Sequence, residues 1–265
     1  MGAGDRFRPL PRCLMTTSVR LLQITDLHLR EDPQGHLRGA VTLATLESCL
    51  LAAQATGPYD AILVTGDLVQ DEPMAYAHLQ RVLQHSAVPV VCLPGNHDDP
   101  ERLAAAFHTP PFQTLGHLRL GDWLIIGLDS TVPRQDGGRL SPEEITRLES
   151  TLAAHPDQHA LIALHHPPVR LGSHWLDALG LADAEYFWAT VDRYPHVRGV
   201  VFGHAHQVYE GVRGHVTVLG APATSAQFLP YSDDFAIDDR PPGWRVLTLQ
   251  PDGHIASHIG WLTDT

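Results

Sequence analysis

Short apolar runs recur along the chain and stop abruptly at polar residues. Residues 19–25 (VRLLQIT), 61–66 (AILVTG) and 88–94 (VPVVCLP) are rich in aliphatic residues, several of them β-branched, and too short for buried helices, so they predict strands. Between them, residues 40–56 and 73–86 are apolar at helical spacing, the second with Pro73 near its start. Residues 99–107 (DPERLAAAF) predict a short helix, and 117–130 (HLRLGDWLIIGLDS) a hairpin turning at Gly121-Asp122. Residues 141–156 open with Ser141 as N-cap, Pro142 at the first helical position and Glu144 two residues on, a capping box. Later strands are expected at 159–164 and 197–203, with a helix at 183–195 between them. The runs 215–222, 244–253 and 254–262 are strand-like, joined by turns with no long helix. The early βαβ units predict parallel strands. The later hairpins predict a second, more antiparallel sheet packed on the first.

The chain has 265 residues, enough for one large α/β domain with a sizeable core. We read residues 18–265 as a single domain and 1–17 as a flexible N-terminal extension in which Met15 is a candidate start. No apolar run reaches the roughly 20 residues a membrane span needs, and the N-terminus has no apolar segment of the kind that marks secretion. The net charge of -12 disfavours nucleic acid as a partner. All 18 basic residues are arginine, which excludes a Walker-A lysine, a Schiff-base lysine and a kinase lysine together. Three cysteines with no CxxC spacing suit a reduced, cytoplasmic protein. A homodimer is left open.

The chemistry sits where the strands stop. One strand ends in Asp26-Leu27-His28, the next in Gly66-Asp67, the third in Gly95-Asn96-His97-Asp98. Two later ones end in His165-His166 and Gly203-His204-Ala205-His206. Any one could be a polar turn; five in order, each directly after an apolar run, point to a shared site at the carboxyl ends of an α/β sheet. Asp26 and His28, and likewise His204 and His206, lie two apart, so in an extended segment each pair faces one way. Carboxylate and amide oxygens mixed with imidazoles suit Mn, Fe or Zn. A lone carboxylate such as Asp67 can bridge two ions, and two ions about 3.5–4 Å apart can clamp a phosphoryl group.

The motifs DLH (26–28), GD (66–67), GNHD (95–98), HH (165–166) and GHAH (203–206) resemble those of the calcineurin-like metallophosphoesterase superfamily. The resemblance spans about residues 19–206 and implies a four-layer αββα sandwich of two mixed sheets flanked by helices. It implies that Asp26, His28 and His206 hold one divalent or trivalent ion (Mn²⁺, Fe²⁺/Fe³⁺ or Zn²⁺), that Asn96, His165 and His204 hold another, and that Asp67 bridges them. It further implies that a hydroxide bridging the ions attacks phosphorus, with His97 as the catalytic group at the leaving oxygen and Asn96, His97 and His206 in contact with substrate. Some relatives pair this histidine with an acid three residues after the bridging aspartate; here that position is Gln70 and the acid is Asp71. TGDLVQDEPMAY, LDS, GHAHQ and TSAQFLP (224–230) narrow the resemblance to bacterial class III 3′,5′-cyclic-nucleotide phosphodiesterases, whose small-molecule substrate would be cyclic AMP. A glycerophosphodiesterase or a broad-specificity phosphodiesterase or phosphatase would use nearly the same ligands. A non-catalytic metal-binding scaffold is disfavoured, since every ligand position is filled and His97 is present.

Other residues have plainer readings. His166 is expected to be structural, Asp129 to form a strand-end turn, and His78, His85, His108, His155 and His159 to be solvated. Trp175, Phe187 and Trp188 could stack a base, but core or lid packing is the simpler expectation. Ser130 and Ser225 lack the strand-turn-helix setting of a hydrolytic serine.

Overall fold

The computed structural model describes residues 17–263. The extension expected at the N-terminus therefore lies, apart from Thr17, outside the described residues. In chain order the elements are β1 (Val19–Ile24), β2 (His36–Leu37), β3 (Ala40–Val41), α1 (Thr42–Gln54), β4 (Ala61–Thr65), α2 (Tyr76–Leu83, entered through a 3₁₀ turn), β5 (Val90–Leu93), α3 (Pro100–Ala106), β6 (Phe112–Gln113), β7 (Gly116–Leu120) and β8 (Trp123–Gly127). They continue with α4 (Pro142–Ala154), β9 (His159–Ala163), α5 (His174–Asp177), α6 (Ala184–Val191), β10 (Val197–Phe202), β11 (Tyr209–Arg213), β12 (Val216–Gly220), β13 (Gln227–Phe228), β14 (Ile237–Asp238), β15 (Gly243–Leu249) and β16 (Ile255–Trp261).

Two six-stranded sheets stack face to face, in the orders β16-β15-β1-β4-β5-β6 and β11-β12-β10-β9-β8-β7. The inner faces meet through Leu21, Leu63, Leu93, Ile125, Leu161, Val201 and Leu247. Neighbours one residue along, such as Leu22, Ile24 and Val64, point the other way. They pack against α1, whose buried Leu46, Cys49, Leu50 and Ala53 recur at helical spacing, and against α2 through Leu79 and Leu83. On the far side Leu124, Ile126 and Ile162 pack against Ile145, Leu148 and Leu152 of α4 and Phe187 and Val191 of α6. The layers are thus helix, sheet, sheet, helix, the expected αββα sandwich.

One expectation is corrected. The second sheet is no more antiparallel than the first. In each, four neighbouring strands run parallel; antiparallel β15 and β16 flank one side of the first sheet, whose other edge is the parallel β6, and antiparallel β11 and β7 form both edges of the second. The C-terminal hairpin β15-β16 joins the first sheet, β15 pairing with β1 from Val19↔Leu249 to Gln23↔Arg245. The capping box at α4 is half formed. Ser141 Oγ accepts from the Glu144 N–H, but the Glu144 carboxylate turns to the Asp129 N–H and Arg147. No helix among the described residues is long and apolar enough to cross a membrane.

Candidate metal centre and active-site cleft

The loops after β1, β4, β5, β9 and β10 converge at one edge of the sandwich, because parallel neighbours present their carboxyl ends together. The converging segments are not extended, as the spacing had suggested. Asp26 (φ 52°), His28 (47°), Asp67 (50°), His204 (64°) and His206 (47°) are all left-handed. Each such non-glycine residue costs roughly 1–2 kcal/mol and persists only where its surroundings fix it. Here the Asp26 N–H donates to the Gly66 carbonyl (3.0 Å) and the His28 N–H to the Asp67 carbonyl (2.9 Å). The His204 N–H donates to the Asp26 carboxylate (3.0 Å). Glycine is required where the loops cross: a Cβ on Gly66, itself at φ 100°, would overlap the His165 ring, and one on Gly95 would overlap the Asp67 carboxylate.

Two buried groups of donors result. Asp26, His28, Asp67 and His206 form one, with ligand atoms all within 4.8 Å of one another. His165, His166 and His204 form the other, and Asn96 Oδ1 stands 3.2 Å from His165 Nε2 and 3.0 Å from His204 Nδ1. Asp67 stands between the groups. Its Oδ2 lies 3.6 Å from His28 Nε2 and 3.4 Å from His165 Nε2, while Oδ1 accepts from the His97 N–H. All seven residues expected to hold metal therefore come together.

The donor set fits cations. His206 donates its Nδ1 proton to the Ala226 carbonyl (2.7 Å) and His165 donates to that of Thr65 (2.8 Å). In their neutral forms both leave an Nε2 lone pair facing carboxylate oxygen, at 3.3 Å from Asp26 and 3.4 Å from Asp67. Acceptor facing acceptor in a buried site needs a positive charge between them. The electrostatics of the site carry the same demand. Burial pulls His165 down, but the charge and hydrogen bond of Asp67, with Asp26 behind it, raise its pKa to about 9. Burial pushes Asp67 up, yet His165, His28 and His97 hold it well below the usual carboxylate range. Burial, aided by the neighbouring His206 and His97, depresses His28 to about 3, against the opposing pull of Asp67 and Asp26.

His166 stands in the second group but is otherwise engaged. The Ser130 hydroxyl accepts from the His166 backbone N–H (3.2 Å) and meets Nδ1 at 2.8 Å, while Nε2 donates to the Asp136 carbonyl (3.2 Å). Both ring nitrogens are used, which agrees with a structural histidine. Asp129 caps its own turn through the Thr131 N–H and hydroxyl. His85 and His108 are exposed, whereas His78, His155 and His159 are half-buried, each bonded to a backbone carbonyl.

His97 has a partner after all. Its Nδ1 lies 3.1 Å from Asp71 Oδ2, and the Gln70 amide, 3.0 Å from that nitrogen, also donates to the same Asp71 oxygen. Asp71 is left-handed (φ 57°) and reaches the ring from one residue beyond the position that carries the acid in some relatives. Asp98 fixes the turn, accepting from the N–H groups of Gly95, Leu68 and Val69 and from the Tyr76 hydroxyl.

A cavity of about 280 Å³ opens over both donor groups, with Asn96, His97, His204 and His206 in its lining. Its lining also includes Trp175, Phe228, Phe235 and Arg38. Trp175 thus parts from Phe187 and Trp188, which are core residues. Arg38 and Phe235 escaped the sequence reading. Phe228 lay within TSAQFLP but carried no role there; it stacks on His206 at 4.0 Å between ring centres.

A calcineurin-like phosphoesterase profile matches residues 19–208. The 3′,5′-cyclic adenosine monophosphate phosphodiesterase CpdA of Vibrio vulnificus (strain CMCP6) is 39% identical over 249 residues, covering 93% of this chain and 91% of that protein. The protein of the same name from Escherichia coli (strain K12) is 35% identical over 250 residues, with 93% and 91% covered. Among solved structures, a dimetal phosphatase from Danio rerio superposes with a TM-score of 0.64 at 12% identity, over 88% of this chain and 95% of that one, a likeness of fold.

Proposed function

The chain belongs to the calcineurin-like phosphoesterase family, and from that premise we propose that it is a dinuclear metal-dependent phosphodiesterase that converts 3′,5′-cyclic AMP to 5′-AMP. The observation that carries the chemistry is Asp67 Oδ2, placed within 3.6 Å of imidazoles from both donor groups on the floor of a cleft that His97 also lines. The names of the two cyclic AMP phosphodiesterase relatives support the substrate. In this reading Asp26, His28 and His206 hold one ion, Asn96, His165 and His204 the other, and Asp67 both; Mn, Fe and Zn all suit the donors. When bound, such ions stabilise charge on the phosphoryl oxygens and lower the pKa of attacking water.

The chain's own residues do the rest. The carbonyls of Ala226 and Thr65 fix the tautomers of His206 and His165, so that each presents Nε2. Asp98 holds the Gly95–His97 turn against the loop that carries Asp67, and so sets the distance between phosphoryl group and acid. Asp71 accepts a hydrogen bond from the Nδ1–H of His97 and stabilises the imidazolium. Nε2 is then free to protonate the departing 3′ oxygen.

The test is a panel on Mn²⁺-reconstituted protein: cyclic AMP, cyclic GMP, 2′,3′-cyclic AMP, a glycerophosphodiester and a phosphomonoester. Turnover of 3′,5′-cyclic AMP to 5′-AMP is expected, with cyclic GMP close behind. A preference for the glycerophosphodiester with no turnover of cyclic AMP would transfer the protein to that branch of the same chemistry.

A further inference from the structure

The aromatic part of the cleft lining, reached from His206 through Phe228, is built in a way that phosphoryl chemistry does not need. Phe235 is 46% exposed although it is a large apolar ring. It packs edge-to-face on Phe228 and Trp175, with ring centres 5.3 Å apart in each case. The Arg38 guanidinium lies over it, 4.3 Å from the ring centre. Among the described residues no carboxylate pairs with Arg38, and burial alone perturbs it.

How Arg38 arrives there matters. Leu37 pairs with Ala40 across the β2-β3 hairpin, so Arg38 and Gly39 are its two turn residues, at φ 50° and 89°. Left-handed φ at both central positions is the type I′ turn, whose first position favours Asn, Asp or Gly. An arginine there is strained, and strain of this kind is retained where a side chain is needed. The hairpin therefore presents an unpaired guanidinium beside a half-exposed ring, in the same cavity as His97 and Asn96.

We propose that Arg38, Phe235 and Trp175 form the subsite for the nucleobase of the substrate and so select phosphodiesters that carry a flat heteroaromatic group. The proposal rests on the cyclic-nucleotide reading above and deepens it. A base gains from stacking whatever its identity, and its ring nitrogens and carbonyls accept from the guanidinium. A glycerol or alkyl ester offers neither a face nor an array of acceptors.

The test uses the Mn²⁺-loaded protein and two competitive inhibitors of bis(p-nitrophenyl) phosphate hydrolysis, 5′-AMP and inorganic phosphate. Phe235→Ala should raise Ki for 5′-AMP and KM for cyclic AMP about 5- to 50-fold, within the range of lost base stacking. Ki for phosphate should change less than about 2-fold, since phosphate reaches only the metal end. Arg38→Asn creates Asn-Gly, a favoured type I′ pair, so Tm should hold or rise while 5′-AMP binding weakens. That combination excludes misfolding as the cause. Equal losses for 5′-AMP and phosphate would place Arg38 at the phosphoryl group and overturn the subsite; unchanged 5′-AMP binding in both variants would also overturn it. Failure of the parent reading looks different: the wild type would hydrolyse the aryl diester and leave cyclic AMP intact.

Discussion

Replacing Asp67 by Asn should remove one limb of the pH-stability profile of the metal-free protein. Asp67 is the main reason that His165 is raised from 6.5 to about 9 despite complete burial. A base with a higher pKa folded than unfolded binds more protons in the folded state between those two values. Its contribution is whole below pH 6.5, shrinks as pH rises, and is lost above about 9. At about 1.4 kcal/mol per unit, the loss over that window is about 3 kcal/mol. Without the Asp67 charge and hydrogen bond, burial dominates and His165 stays neutral throughout, so the variant lacks this slope. Cys49 and Cys92 are buried thiols with raised pKa values, and they weaken both proteins alike as pH passes the ordinary thiol range. Asp98, which burial and then the Asp67 charge raise to about 7, gives up the rest of its contribution at the foot of the window in the same direction, so the difference between the two proteins reads His165 together with this smaller share. The assay is urea unfolding of chelator-treated wild type and Asp67→Asn at pH 6.5 and 9, with metal content measured after reloading. Wild type should lose about 3 kcal/mol more than the variant across the window, and the variant should reload poorly at both positions. Parallel pH profiles would refute the account of His165, and two fully occupied metals with retained activity would refute Asp67 as the shared ligand.

His97→Ala should keep its metals and lose about 10²–10⁴-fold in kcat; metal content falling in step with activity would make His97 a ligand. Asp71→Asn should lower kcat about 10-fold with little change in KM, and Gln70→Ala should do less, because the amide supports the carboxylate rather than replacing it; equal effects in steady-state kinetics would reverse that order. Ser130→Ala strands the His166 backbone N–H and Nδ1 and should cost about 1–3 kcal/mol in urea unfolding with metal content unchanged; loss of metal by elemental analysis would promote His166 to a ligand.

The parts of the fold legible in the sequence were those set by local pattern. Strand and helix periodicity placed β1, β4, β5, β9 and β10, and the polar residues at their ends named the donor set in order. Membership of a sheet is a long-range choice, and here the pattern misled. Residues 244–262 read correctly as strands, yet nothing local states that β15 pairs with β1 instead of extending the second sheet. The capping box failed for a related reason. Glu144 had the right spacing to return to Ser141, but the Asp129 N–H and the Arg147 guanidinium, brought close by the fold, claim its oxygens.

The site was legible as a list of converging donors and illegible as a backbone. A left-handed non-glycine residue is uncommon; Asp and His adopt that conformation more readily than Arg, yet no sequence rule says which of them will. Nine non-glycine residues among those described are left-handed: Asp26, His28, Arg38, Asp67, Asp71, Arg134, His204, His206 and Tyr231. Five are candidate ligands, Asp71 holds His97, and Arg38 lines the cleft; Arg134 and Tyr231 are exposed and lie outside this set. Strain thus concentrates where loops from two sheets are bent to aim side chains at one point, as expected where tertiary contacts override local preference for the sake of function. Arg38, which the motifs did not foretell, and Asp71, whose partner they left open, are two residues that backbone strain groups with the candidate ligands. This argues independently of the aromatic contacts that the β2-β3 hairpin was shaped around the cleft, and the Arg38→Asn variant, which relieves that strain, measures what the arginine is there to do.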